Sequence, residues 1–296
     1  MPRQLRTGQR SDLYTLDVDT GERALIATSS KMLFEAPNWT GDGEWLVVNG
    51  GGKLFRISVS GGDFIPIDLG TVPAINNDHV VSPDAQTVYV SSEDGHLYAV
   101  PLEGGDIRRV SNDHNGITNY LHGISPDGET LAYIGMQHER DGSVTTNVFT
   151  IPAAGGATIQ LTDDEFPDDG SEFSPDSEWI YFNSERASSV PGHAQLFRIQ
   201  RDDRRIEQLT FDERVNWFPH VSPAGDRIAY VSFPPGKLGH PADVEVIVRL
   251  LEPADASAGE PKHRDLATVF GGQGTMNVPS WDPSGRRIAF VGYSTQ

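Results

Sequence analysis

One turn segment is written six times along this 296-residue chain: Thr40-Gly-Asp-Gly43, Ser82-Pro-Asp-Ala85, Ser125-Pro-Asp-Gly128, Ser174-Pro-Asp-Ser177, Ser222-Pro-Ala-Gly225 and Asp282-Pro-Ser-Gly285. Five positions after the Pro, or after Gly41, an apolar residue recurs: Leu46, Val88, Leu131, Ile180, Ile228 or Ile288. From Gly41 to Pro83, Pro126, Pro175, Pro223 and Pro283 the steps are 42, 43, 49, 48 and 60 residues. A repeat of that length is one supersecondary unit that cannot bury its apolar face alone, so the units must stack.

The segment has the chemistry of a hairpin turn. Pro presets φ for the second turn position, a preceding Ser, Thr or Asp can engage the backbone, and Gly releases the chain. Each turn leads into β-branched and aromatic residues such as Trp45-Leu-Val-Val48, Trp179-Ile-Tyr-Phe182 and Ile228-Ala-Tyr-Val231, which predict a strand. A third run follows (Leu54–Ile57, Leu97–Val100, Val148–Ile151, Leu196–Ile199, Val246–Val248), then a fourth (Phe64–Ile67, Ile107–Val110, Thr158–Leu161, Ile206–Leu209, Asp265–Val269). Four antiparallel strands in six copies predict an all-β, six-bladed propeller. The last turn has one strand after it, whereas Leu13–Leu16 and Ala24–Ala27 precede the first turn and have none of their own. These N-terminal strands should pair with the C-terminal hairpin and close the ring, removing free sheet edges.

The repeats leave room for one domain, residues 11–296, after a flexible terminus of residues 1–10. No apolar run reaches the length of a membrane span. Met1–Arg10 has three Arg and no apolar stretch after it, so no signal peptide is expected. A cytoplasmic location follows, or a periplasmic one if Met1 is not the natural start. Cys is absent, which removes disulfides and thiolate metal sites. The formal net charge of −19 keeps a β-rich protein soluble and repels phosphate backbones, so nucleic acid is not an expected partner. Oligomeric state is left open, since ring closure satisfies the strand edges within one chain.

Gln160-Leu-Thr162 before Ser174-Pro-Asp, and Gln208-Leu-Thr-Phe-Asp212 before Ser222-Pro-Ala-Gly-Asp-Arg-Ile-Ala-Tyr230, resemble the WD40-like (PD40) propeller repeat of the TolB family. Phe182-Asn-Ser-Glu-Arg186 is similar to the segment that follows the second strand in that family. The resemblance covers essentially the whole chain and implies the TolB C-terminal propeller without the N-terminal α/β domain or signal peptide of TolB itself. It implies a bacterial, non-catalytic scaffold that binds a protein segment or small polar ligand, with a link to Tol-type envelope transport.

Such folds place ligands at the channel mouth, among the loops that enter each innermost strand and those joining second to third strands. Counting back from each turn gives Asn76, Asn77, Asp78 and His79; Asn119, Tyr120 and His122; Asp168, Asp169 and Glu172; Asn216, Trp217 and His220; Met276 and Asn277; Phe34 and Glu35. The second class of loop adds Gln137, His138, Glu139 and Arg140, then Glu185, Arg186 and His193, then Lys237 and His240. The expected ligand-binding set is Asn77, His79, Tyr120, His122, His138, Asp168, Asp169, Arg186, Asn216 and Trp217. His79 and His122 share a register three residues before Ser82 and Ser125, so both could reach the axis and, with a carboxylate, suit a divalent metal. Oligogalacturonate lyases, a related propeller group, hold such a His-rich metal site. A metal-assisted carbohydrate-active enzyme is therefore the alternative to the scaffold, against histidines that are simply packed or hydrogen-bonded, with no cofactor. The acidic run Asp163–Asp169 lacks the spacing of a calcium loop. No nucleophile elbow, zinc-protease helix or phosphate loop is present, and Gly271-Gly-Gln-Gly274 does not continue into a dinucleotide fingerprint.

Overall fold

The computed structural model describes residues 3–113, 116–139, 141–252 and 262–295. Its regular structure is entirely β, arranged as six sheets around a common axis. Blades 1 to 5 begin with the innermost strands Glu35–Trp39, Ile75–Val81, Ile117–Ile124, Asp168–Phe173 and Val215–Val221. Each continues outward through three antiparallel neighbours in chain order.

Blade 6 closes the ring. Gln9–Asp17 lies between Arg23–Ser29 and the C-terminal Arg287–Thr295, pairing with the latter from Gln9↔Thr295 to Asp17↔Arg287. The expected C-terminal hairpin is present only in part, because its inner limb is reduced to the isolated bridge Trp281↔Ile288. The residues before it are drawn instead into the channel, as described below.

Six apolar clusters hold the ring, one at each seam between neighbouring blades. Leu13, Ala289 and Val291 of blade 6 pack with Leu46, Val48 and Ile57 of blade 1, and Leu16, Ile288 and Phe290 pack with Val231, Val246 and Val248 of blade 5. The four other seams repeat this pattern. Alternating strand residues thus face opposite neighbours, which is why the repeats need a closed ring to bury both faces.

The turn segments are built from one hydrogen-bond motif. The Ser hydroxyl donates to the Asp two residues on in Ser82–Asp84 (2.6 Å), Ser125–Asp127 (2.5 Å) and Ser174–Asp176 (2.5 Å), and accepts the N–H five residues on from Thr87, Thr130 and Trp179. The fourth turn position is left-handed in all six copies, including Ala85 (φ 55°) and Ser177 (φ 62°), where the other four have Gly. The Thr of Gln-Leu-Thr has an equally concrete task. Thr162 and Thr210 accept the N–H of Val148 and Leu196, the first bond beyond the short outer strand, and Ser111 does the same for Leu97.

The terminus expected to be flexible carries anchors in its described part. Arg3 donates to Glu35 (3.0 Å), Asp243 (2.9 Å) and the Gln273 carbonyl (2.9 Å), and its guanidinium lies 4.2 Å from the centre of the Tyr293 ring. Arg140 lies outside the described residues.

Candidate functional site

Every inner strand of blades 1 to 5 carries a β-bulge, and the bulges decide which side chains reach the channel. In blade 2 the irregularity lies between Ile75 and His79, so His79 is back in register opposite Val90. In blade 3 it lies between Leu121 and Gly123, which makes His122 the extra, unpaired residue. Two histidines in equivalent sequence positions therefore have different environments. His79 is fully buried with Nε2 3.3 Å from the Val47 carbonyl, and burial pushes its pKa down to about 4. His122 lines a cavity at the mouth, and His79 is not among the lining residues.

That cavity has a volume of about 260 Å³. Asn76, Asn77 and Asp78 come from blade 2, Tyr120 and His122 from blade 3, Asp169 from blade 4, Phe218 and His240 from blade 5, and Gln273 and Asn277 from the segment entering blade 6. This last segment bridges the channel. His122 Nδ1 lies 3.2 Å from the Asn277 carbonyl, a contact between blades on opposite sides of the ring, and His220 Nε2 lies 3.0 Å from the Met276 carbonyl. The diversion explains why blade 6 lacks a regular inner strand.

Four titratable groups converge there. Asp169 sits between His122 Nε2 (2.9 Å) and His240 Nε2 (3.4 Å). Both ring nitrogens of His122 lie near acceptors, a carbonyl and a carboxylate, an arrangement that favours the protonated ring. Burial opposes that charge, yet Asp78 and Asp169 together hold the His122 pKa up to about 9. Burial would raise Asp169 as well, but the bonds from His122 and His240 outweigh it and keep this carboxyl well below the usual range. Asp78 has the opposite fate. Burial pushes it up to about 6, with His122 pulling against the push and Asp169 adding to it. Aromatic contacts brace the cluster, with the His240 ring 4.4 Å from Trp217 and 5.2 Å from Phe218 between centres.

Two buried amide groups complete the lining. Asn77 Oδ1 accepts from Gln273 Nε2 (3.2 Å), and Asn277 Oδ1 accepts from the Gly274 N–H (2.8 Å). The backbone donor fixes the orientation of the Asn277 amide, and in both residues the Nδ2 donor is buried with no hydrogen-bond partner. An unpaired buried donor costs about 1–3 kcal/mol.

The structure thus brings together Asn77, Tyr120, His122 and Asp169 from the expected set, and places the others elsewhere. Arg186 is held 2.8 Å from the buried Asp168, 3.1 Å from Asp164 and 3.0 Å from Ser184 Oγ, which ties down a loop rather than offering a free cation. Asn216 accepts from Ser232 Oγ (2.7 Å) and donates to Asp212 (3.0 Å) within the core. Trp217 is buried behind His240 and does not line the cavity. His138 is exposed at the end of the strand Thr130–His138. Among the described residues, no group of three or more His, Cys, Asp or Glu side chains is arranged to hold a metal ion. Sequence reasoning missed Phe218 and Gln273, and with them Ile134, Met136 and Thr146. Phe218 follows Trp217 with a left-handed φ of 58° inside a bulge, and Gln273 sits in a Gly-rich run read only as a failed dinucleotide motif.

Among the described residues no helix is long and apolar enough to cross a membrane. No protein-family model matches the chain. It is 35% identical over 290 residues to the uncharacterized protein Atu1656 of Agrobacterium fabrum, covering 96% of this chain and 92% of that one. The solved structure of an Agrobacterium tumefaciens protein named "putative TolB" superposes with a TM-score of 0.86 at 35% identity, covering 97% of this chain and 99% of that chain. TolB from Acinetobacter baumannii has a TM-score of 0.59 at 15% identity (97% of this chain, 67% of that one), and an oligogalacturonate lyase in complex with manganese has 0.59 at 14% (91% and 75%); both show the fold alone. With its six closed blades and its full-length likeness to the Agrobacterium proteins, the chain belongs to the family of TolB-like six-bladed β-propellers.

Proposed function

We propose that this propeller is a binding protein whose channel-mouth cavity takes a small polar ligand. The observation that carries the reading is a single cavity, lined from five blades, that sets the Asp78 carboxyl and the weakly engaged Tyr120 hydroxyl together. The volume corresponds to about nine water molecules at roughly 30 Å³ each, which suits a small molecule better than a peptide side of several residues. The walls are mixed, with Phe218, Ile134, Met136 and Tyr120 beside the polar groups, as ligand pockets usually are.

The test is a thermal-shift panel of sugars, amino acids, dicarboxylates and Mn²⁺ on wild type and Met136→Trp, a substitution that fills the cavity from a partly exposed position. A compound that stabilises wild type and leaves Met136→Trp unmoved supports the site. If every response is shared by both proteins, the mouth is not the binding site. A Mn²⁺ response lost in His122→Gln would instead favour the metal-assisted reading.

A further inference from the structure

The cavity's inventory of donors, acceptors and charge restricts what can enter. The Asp78 carboxyl accepts from Asn76 Nδ2 (2.7 Å) through Oδ2, leaving Oδ1 to face a ligand donor. The Tyr120 hydroxyl has only the Met136 sulfur at 3.9 Å, a weak acceptor, so it too can turn to a ligand.

Charge excludes much of what fits by size. The imidazolium of His122 is paired with Asp169 at 2.9 Å, and ionised Asp78 would repel an anionic ligand. A bare ammonium would satisfy Asp78 but offer the Tyr120 hydroxyl no acceptor. Hydroxyl groups serve both needs, because each can donate to a carboxylate while accepting from the Tyr120 O–H. The rings of Phe218 and Tyr120, with Ile134 and Met136, add an apolar wall against which the C–H face of a saturated ring can lie.

Resting on the mouth-site reading above, we propose that the ligand is a neutral polyhydroxylated ring of monosaccharide size, its hydroxyls donating to Asp78 and accepting from Tyr120 while its C–H face lies on the apolar wall. Its recognition differs from that of an acidic sugar, whose carboxylate ionised Asp78 would repel.

Saturation-transfer NMR at pH 7.5 with D-glucose, D-galactose, D-xylose and myo-inositol, then D-galacturonate and putrescine, separates the possibilities. The expected result is saturation of at least one neutral probe that disappears in Met136→Trp and weakens at least tenfold in Asp78→Asn, the scale of one charge-assisted hydrogen bond. If only D-galacturonate or putrescine shows a signal that Met136→Trp removes, the mouth site stands and the neutral-sugar assignment is overturned. If no probe gives a signal dependent on Met136, both fall. Asp78→Asn is a suitable probe because it is expected to fold more stably than wild type, so weakened binding cannot be a folding defect.

Discussion

Asp78→Asn should stabilise the protein while damaging its site. The Asp78 carboxyl is buried on the cavity wall, and its pKa rises from the ordinary 3.8 to about 6. A folded-state pKa above the unfolded one means that the folded protein holds the proton more tightly between those values. Stability contributed by this group is therefore full below 3.8 and is lost as pH rises through about 6. At about 1.4 kcal/mol for each tenfold change, ionised Asp78 costs roughly 3 kcal/mol above pH 7, an upper figure for a group coupled to His122 and Asp169. Asn keeps an oxygen for the Asn76 amide and removes the charge. For 296 residues at about 2.1 cal/mol/K each, the unfolding entropy is about 0.6 kcal/mol/K, so the gain corresponds to about 5 °C in Tm. Calorimetry of both proteins from pH 4 to 8 is the assay. The difference should be near zero at pH 4, grow through pH 6 and level off above 7. A variant less stable at pH 8, or a difference independent of pH, would refute the argument that burial of this carboxylate is what the fold tolerates for its site.

Three further outcomes follow from the same structure. His122, held up to about 9 against an ordinary 6.5, contributes stability that is fully present below pH 6.5 and is lost as pH climbs through 9, on the order of 3 kcal/mol; imidazole NMR should show no titration of this ring between pH 6 and 7.5, and a midpoint near 6.5 would count against the imidazolium. Glu172 accepts from both His220 Nδ1 (2.7 Å) and the Val221 N–H (2.9 Å) across the seam of blades 4 and 5, so Glu172→Ala should cost about 3 kcal/mol or more in urea unfolding, and a loss under 1 kcal/mol would contradict the latch. Ala85→Gly and Ser177→Gly should each stabilise by about 0.5–1 kcal/mol, because the left-handed penalty for an L-residue exceeds the entropy that Gly adds to the unfolded chain; denaturant midpoints that fall would reverse that balance.

The repeat in Ser-Pro-Asp-Gly and the strands around it determined the architecture from sequence alone. Each copy encodes a local object, a hydroxyl-and-carboxylate turn followed by alternating apolar residues, and local chemistry of that kind is visible in a one-dimensional string. Closure by the N-terminal strands was legible for the same reason, from the count of strands on either side of the outer turns. The likeness to Agrobacterium proteins over nearly the full chain agrees with that reading. The site was legible only as a neighbourhood. Counting back from each turn reached Asn77, Tyr120, His122 and Asp169, but the same count placed His79 beside His122 and sent Trp217 and Asn216 to the mouth. The irregularity adds one residue in blade 3, at His122, and two in blade 2, before His79, so the two strands shift differently against their partners, and nothing in the spacing distinguishes the two cases. The pairing of Asp169 with His122 and His240, the strongly opposed pKa values of two carboxylates in one cavity, and the two amides left without partners arise among residues from five blades. Only the closed ring brings them within hydrogen-bonding reach, so the tertiary structure decided the chemistry at the mouth.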